Sequence, residues 1–138
     1  MNTDQLNHYR QKLAFETDAW DVKEALDRGD PVVVVDGRSA EAYAREHIPG
    51  AVNLPHREIG PESTASLDRS KLYVCYCDGI GCNASTRTAL KLLTLGFEVR
   101  ELMGGLDWWK RDGYATEGEE AEAGARDVAV GAAVSCGC

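Results

Sequence analysis

An α/β fold, with a mainly parallel sheet and helices on both faces, is the architecture that this sequence predicts. Residues 31–36 and 72–76 form two runs of β-branched, aromatic and other apolar side chains with almost no polar interruption. Strands covered on both faces, as in parallel sheets, have this continuous pattern rather than an alternating one. Helix-like segments separate the strand-like runs, and this alternation favours βαβ connections.

Capping residues and glycines set the ends of the predicted elements. The N-terminal part predicts first a helix over 3–13, a brief strand over 15–17, and a helix that Thr17-Asp18 caps and Gly29 ends. The strand at 31–36, a helix from Ser39 through Arg45 and a strand over 51–54 follow. Residues 55–70 are polar and turn-rich, so we assign them little regular structure. The C-terminal part predicts the strand at 72–76, a loop over 77–84, a helix opened by Ser85 or Thr86 and ended by Gly96, a strand over 97–102 and a helix over 106–111.

The chain has 138 residues, which is enough for one domain with its own core. Its composition changes at about Glu117, after which glutamate, alanine and glycine dominate and aromatic residues are missing. We therefore predict a domain over 1–116 and a mobile acidic, Gly/Ala-rich tail over 117–138. The tail ends in Cys136-Gly137-Cys138.

The net charge of -8 argues against nucleic acids and anionic membranes as partners. The sequence has no apolar run of the ~20 residues that a membrane span needs, and its start resembles no secretory signal. We therefore expect a cytoplasmic protein with no membrane partner. A small anionic substrate remains possible, provided that backbone N–H groups or local cations receive it.

Five cysteines, an odd number, lie in two groups rather than spread along the chain as a disulfide framework would be. In a cytoplasmic protein, reduced thiols are the default state, so reactivity or metal binding is the relevant interpretation. Cys77 follows a buried strand directly, at the edge of a parallel sheet where ligands bind. Loop N–H groups and the next helix N-terminus would stabilise its thiolate and any anion held there. The alternative is that Cys77 is a small buried apolar residue.

The other cysteines leave several interpretations open. Cys82 lies in the same loop and is either a resolving thiol that forms a disulfide with Cys77, the nucleophile itself, or a partly buried loop residue. Cys75 lies two residues before Cys77 on the strand, and we expect it in the core. The tail cysteines, Cys136 and Cys138, could receive sulfur from Cys77, join Cys82 in holding a soft metal, or be unstructured.

Several stretches of the chain, between Phe15 and about Thr116, resemble the rhodanese family. They are similar to its D-x-R…E-x-Y…G-H-I-x-G-A signature, to the strand end that carries its catalytic cysteine, and to its L-G-F and G-G-x-x-x-W ending. The matching residues are 35–43 with 47–55, then 76–77, and last 95–97 with 104–109.

This resemblance implies a five-stranded parallel sheet and a sulfurtransferase. By this resemblance Cys77 would attack the outer sulfur of thiosulfate or a related donor, hold it as a persulfide, and pass it to a thiol, a cyanide-like acceptor or an acceptor protein. The resemblance further implies a substrate-binding loop that Asp36 and Arg38 support from a neighbouring strand end, while the alternative for these two residues is a purely structural polar pair. We expect no cofactor and no metal. The loop consists of Asp78, Gly79, Ile80, Gly81, Cys82, Asn83 and Ala84.

The sequence departs from the family pattern in four places. Gly37 replaces an apolar residue, Glu46 replaces a glycine, and Ala115 stands where proline is common. The loop after Cys77 is about two residues longer than usual and lacks the usual arginine. Arg87, in the following helix, either supplies part of that missing charge or is a solvated helix residue.

Two other functions compete with sulfur transfer. Dual-specificity phosphatases share this fold with a longer loop, but they need an arginine six residues after the cysteine, where this chain has Asn83. The second is a non-catalytic redox or metal-handling module that uses Cys77, Cys82 and the tail cysteines. The sequence disfavours the phosphatase and leaves the thiol module open.

Overall fold

The computed structural model describes residues 2–128 and contains one five-stranded sheet in which every neighbouring pair is parallel. The strands are β1 (Glu16–Thr17), β2 (Val32–Asp36), β3 (Val52–Asn53), β4 (Leu72–Tyr76) and β5 (Glu98–Leu102), in the order β1-β5-β4-β2-β3. The helices are α1 (Thr3–Phe15), α2 (Ala19–Arg28), α3 (Ala40–Arg45), α4 (Ala84–Thr94), α5 (Gly105–Arg111) and α6 (Ala125–Val128), with a 3-10 turn over His56–Glu58. The predicted parallel α/β fold is confirmed.

Two apolar layers cover the two faces of the sheet. Along β4, Val74 and Tyr76 join one layer, while Tyr73 and Cys75 join the other, as side chains that alternate on a strand must. The first layer packs against α2 and α5, and the second against α4. This double coverage explains why β2 and β4 have continuous apolar sequences. It also confirms that Cys75 is a core residue, since it is fully buried.

The helix ends mostly follow their predicted capping residues. The Asp18 carboxylate accepts a hydrogen bond from Asp21 N (2.9 Å), and the Ser39 hydroxyl accepts one from Ala42 N (3.2 Å). The predicted start of α4 is wrong, because the helix begins at Ala84. The hydroxyl groups of Ser85 and Thr86 do not cap it but donate to the Glu101 carboxylate, at 3.0 and 2.8 Å.

The chain continues to pack on the domain beyond Thr116. Glu117 pairs with His47 in a β-bridge, and the Glu119 N–H donates to the Ala44 carbonyl at 3.0 Å. The Arg126 guanidinium lies 5.1 Å from the ring centre of Trp20. Packing therefore passes the boundary that composition indicates. Residues 129–138, including both tail cysteines, lie outside the described residues. No helix within residues 2–128 is long and apolar enough to cross a membrane.

Glu46 joins the segment between α3 and β3 to the C-terminal part of the domain. Its carboxylate binds Lys110 Nζ at 2.9 Å and accepts a hydrogen bond from Thr116 Oγ1 at 2.7 Å. Burial favours the protonated carboxyl, but the Lys110 and Thr116 contacts outweigh it and hold the pKa of Glu46 below its ordinary value. The Glu46 carboxylate thus connects two segments that are distant in sequence. A glycine, the residue usual at this position of the family pattern, has no side chain to do so.

We expect Glu46→Gln to lower the free energy of unfolding by about 0.5–1 kcal/mol at neutral pH, and by less in acid. Because the folded-state pKa is depressed, this stabilisation is present above the ordinary carboxyl pKa and disappears as the pH falls through the folded value. Urea midpoints of both proteins, measured at neutral pH and at about pH 3, check this. Glu122→Gln, which removes a more exposed partner of Lys110, is the control. A constant difference at both pH values would contradict the assignment.

Candidate active site

Cys77 lies at the carboxyl end of β4, the central strand of the sheet, and its backbone is held in place by α5. The carbonyl oxygens of Cys77 and Asp78 accept hydrogen bonds from the N–H groups of Leu106 (2.9 Å) and Asp107 (2.8 Å). Gly105 allows this approach, because a Cβ there would collide with the Cys77 carbonyl oxygen. The first turn of α5 therefore fixes the backbone from which the Cys77 side chain projects.

Gly105→Ala should displace Cys77 and lower the free energy of unfolding by about 2–4 kcal/mol, because it combines a left-handed backbone with a steric collision. Gly29→Ala is the matched control, since Gly29 also has a positive φ (74°, against 56° at Gly105) but has open space around it. The control should lose only about 1 kcal/mol. Denaturant unfolding of both variants measures the difference, and equal losses would show that the contact with Cys77 is unimportant.

Cys82 forms a disulfide with Cys77, with 6.2 Å between the two Cα atoms. A β-turn brings Cys82 back toward the strand end, and the Cys82 N–H donates to the Gly79 carbonyl at 3.3 Å. Gly81 occupies the third position of this turn with φ of 90°, a conformation that favours glycine. Cys82 is thus half-buried in the loop, as one interpretation had it, and its sulfur lies close enough to pair with Cys77, as the resolving interpretation requires.

Arg38 links the end of β2 to the loop after β4. Its guanidinium is nearly buried and binds the fully buried Asp36 carboxylate at 2.7 Å and the exposed Asp78 carboxylate at 2.9 Å. The same group donates to the Glu46 carbonyl at 2.6 Å. The two predicted supporting residues thus form one cluster, and Asp78 connects that cluster to the residue beside Cys77.

Tyr76 is a member of this cluster that the sequence analysis missed. Its hydroxyl donates to Asp36 at 2.8 Å and accepts from the Ile48 N–H at 3.1 Å. Burial, followed by the nearby Asp36 carboxylate, raises the pKa of Tyr76 well above its ordinary value, so the hydroxyl stays protonated and can donate. The sequence did contain a signal for this contact, namely a tyrosine in a strand that is covered on both faces. A buried tyrosine hydroxyl needs a hydrogen-bond partner, so its position predicts a polar neighbour.

A cavity of about 620 Å³ is lined by both cysteines, of which Cys77 is buried, with 2% of it exposed, and Cys82 is half-buried. Of the predicted loop residues, Asp78, Cys82 and Ala84 line it beside Cys77. The other four instead line a smaller hollow beside the end of β5: Gly79, Ile80, Gly81 and Asn83. The structure therefore brings only the two ends of the loop to the cavity, while Ile80 is among the most exposed apolar side chains of the described chain.

His56 lies on the cavity wall, and the charges of Arg57, Arg87 and Lys91 act on it. We call these three cations the His56 rim. Burial and then these three charges lower the pKa of His56, which favours the neutral imidazole. Arg87 contacts Asn83 through its Nε atom (3.2 Å) and does not line the cavity, so it acts there only through its charge. Arg38 and Arg45 also line the cavity, together with Glu41, Glu58 and Asp78, so the lining carries charges of both signs.

Cys75 does not compete with Cys77 as a nucleophile, and the Cys77–Cys82 disulfide offers no thiolate to a metal while it is closed. Burial, with a smaller contribution from Glu101, raises the pKa of the Cys75 thiol to about 12, so it is not a nucleophile at neutral pH. Ligand atoms of Cys77, Asp78 and Cys82 lie within 4.8 Å of one another. Sulfur binds metals as thiolate, however, and a disulfide offers none. Asp78 is also already bound to Arg38.

The comparisons with known proteins agree with this geometry. The family model for the rhodanese-like domain matches residues 18–112. The chain belongs to the rhodanese-like family. This rhodanese-like domain is 37% identical over 85 residues to a thiosulfate sulfurtransferase, GlpE, of Pseudomonas entomophila, covering 60% of this chain and 74% of that protein. GlpE of Coxiella burnetii is 33% identical over 95 residues, covering 67% and 81%.

One curated relative and one solved structure extend the comparison. The rhodanese-like domain is 33% identical over 86 residues to the HTH-type transcriptional regulator Rv0324 of Mycobacterium tuberculosis. The aligned region covers 62% of this chain but only 38% of the regulator. The crystal structure of BH2092 protein from Bacillus halodurans has a TM-score of 0.83 and 37% identity, covering 88% of this chain and 89% of that one. The family, the fold and a likeness to sulfurtransferases are thus established.

Proposed function

We propose that this rhodanese-like domain transfers sulfane sulfur from thiosulfate or a related anionic donor, through a persulfide on Cys77. The observation that carries the proposal is the position of Cys77, which ends β4 and lines a cavity large enough for a small donor and acceptor. The likeness to the GlpE thiosulfate sulfurtransferases supports the same chemistry. In its reduced form, Cys77 would attack the outer sulfur of the donor and release sulfite.

Backbone N–H groups and the His56 rim supply the positive field that an anionic donor needs. α4 begins at Ala84, which lines the cavity, and no side chain caps this helix in the described structure. The first turn of a helix leaves N–H groups without intrahelical acceptors, and its dipole adds partial positive charge. These groups favour the Cys77 thiolate, the persulfide anion and the donor at one place. This local field offsets the repulsion expected from a net charge of -8.

A dithiol redox module is the second candidate, and the Cys77–Cys82 disulfide favours it specifically. In that case Cys77 and Cys82 would exchange electrons with other thiols without carrying a sulfur atom. The two candidates differ in one observable, namely whether Cys77 acquires a sulfane sulfur after reduction.

The test is intact-mass spectrometry of the reduced protein after thiosulfate treatment and rapid removal of the donor. We expect one sulfite to be released per chain and, in the Cys82→Ser background where Cys77 has no neighbouring loop thiol, one sulfur atom to be retained on Cys77. Both results should be lost when Cys77→Ser is introduced. Cys75→Ala is the control, because it removes a neighbouring thiol that is buried and protonated. Sulfite release that persists in Cys77→Ser would overturn Cys77 as the nucleophile. A disulfide formed without sulfite would favour the redox module.

A further inference from the structure

We propose that Cys82 resolves the persulfide of Cys77, so that the protein releases the captured sulfur as hydrosulfide and is left as the Cys77–Cys82 disulfide. This inference rests on the proposed function, since it needs a persulfide on Cys77. It adds a distinct activity, the reduction of sulfane sulfur to sulfide at the expense of a dithiol. The structure then corresponds to the state that follows sulfide release.

The position of the Cys82 sulfur carries the proposal. In the structure this sulfur is bonded to the Cys77 Sγ, which is the inner sulfur of a persulfide. A thiolate at that position attacks the inner sulfur and expels the outer one. Attack on the outer sulfur, which would move the sulfane atom onto Cys82, requires the Cys82 side chain to withdraw from where the loop holds it.

The loop holds Cys82 there from both sides. The carbonyls of Cys77 and Asp78 are fixed on α5, and α4 starts two residues after Cys82. Between these anchors, the Gly79–Cys82 turn is closed by its own hydrogen bond, with Gly81 in a left-handed conformation. This turn brings a second thiol back to the first. A neighbouring thiolate fixed in this way reacts far faster than one in free solution.

The reaction balances without an added oxidant. First, the Cys77 thiolate attacks the outer sulfur of thiosulfate, the S–S bond of the donor breaks, and sulfite leaves with the electron pair. Next, the Cys82 thiolate attacks the Cys77 Sγ, the bond from that sulfur to the sulfane sulfur breaks, and hydrosulfide leaves with the pair and one proton. A dithiol reductant then restores both thiols by exchange. The sulfane sulfur is reduced, and the protein dithiol is oxidised.

Access favours Cys82 over the buried Cys75 as the resolving thiol. Cys82 is half-buried and lines the same cavity as Cys77, so hydrosulfide can leave and a dithiol can enter. Cys75 is fully buried in the layer beneath α4, and its thiol is kept protonated. Cys82 is therefore the residue in the described chain that combines proximity with access.

The test is a single turnover of the reduced protein with one equivalent of thiosulfate in the absence of reductant and oxygen. Wild type should release one sulfite and one sulfide per chain, and its mass should show the loss of two hydrogens without a stable gain of sulfur. Cys82→Ser should release one sulfite per chain and retain the persulfide. Its sulfide release, measured relative to its own sulfite release, should be about tenfold slower than in wild type or worse. The Cys136→Ser/Cys138→Ser double variant is the control and should behave as wild type.

The outcomes separate this inference from the proposed function. A wild-type protein that releases sulfite but retains a stable persulfide would overturn the resolving role and leave sulfur transfer intact. Loss of sulfide release in the tail double variant, but not in Cys82→Ser, would overturn it as well. Absence of both sulfite and persulfide in Cys82→Ser, with its fold intact by circular dichroism, would overturn the proposed function itself.

Discussion

Asp36→Asn should lower the free energy of unfolding by about 3–5 kcal/mol, the range found when one partner of a buried ion pair is removed. Asp36 is fully buried, and Arg38, its partner at 2.7 Å, is nearly so. Without that carboxylate, Arg38 keeps the Glu46 carbonyl and, as its ionic partner, the exposed Asp78, and the Tyr76 hydroxyl loses a charged acceptor. Urea unfolding at neutral pH measures the loss.

Asp78→Asn is the matched control, because Asp78 binds the same guanidinium at 2.9 Å but is 73% exposed. An exposed ion pair of this kind contributes about 0–1 kcal/mol. Sulfur loading should also fall in Asp36→Asn, since Arg38 then no longer anchors Asp78 beside Cys77. Similar stability losses in the two variants would show that burial does not determine the strength of this cluster.

Trp109→Ala should have an effect of similar size, about 3–5 kcal/mol, because it empties a large volume in the packed core. Trp109 is 1% exposed, its indole N–H donates to the Ala115 carbonyl at 2.9 Å, and its ring centre lies 4.9 Å from that of Tyr114. Since a domain is typically stable by only about 5–15 kcal/mol, this variant should be close to unfolding at growth temperature. Thermal and urea denaturation both report the change.

Trp108→Ala is the comparison, because it removes the neighbouring tryptophan of α5. Trp108 is 45% exposed and lies under the Arg111 guanidinium at 5.9 Å. We expect a loss of about 1 kcal/mol or less, mainly from the apolar area that remains in contact. If Trp108→Ala proved as damaging as Trp109→Ala, our account of which face of α5 lies in the core would be wrong.

Most of the fold was predictable because its signals are local. The apolar runs of β2 and β4, the Asp18 and Ser39 caps and the glycine after α2 each act within a few residues. The start of α4 was not predictable in this way. Ser85 and Thr86 are good capping residues, but Glu101 from β5 takes both hydroxyl groups, and sequence spacing does not show that contact.

The site was predictable in its residues but only partly in its arrangement. The position of Cys77 follows from the strand pattern, whereas the contribution of Tyr76 and the contact of Arg38 with Asp78 join residues about 40 positions apart. Gly37 is a further example. The family usually has an apolar residue there, but a Cβ at this position would collide with the Thr88 hydroxyl of α4. The reason for the glycine therefore lies in how closely β2 and α4 approach.

The His56 rim also has a consequence for the kinetics of donor capture. At low ionic strength, an approaching anion experiences the whole molecule, whose net charge of -8 slows the encounter. At physiological ionic strength the screening length is about 8 Å, so distant carboxylates are hidden while charges near the cavity still act. Added salt should therefore accelerate the uptake of an anionic donor, the reverse of the behaviour of an enzyme that steers its substrate with its overall charge.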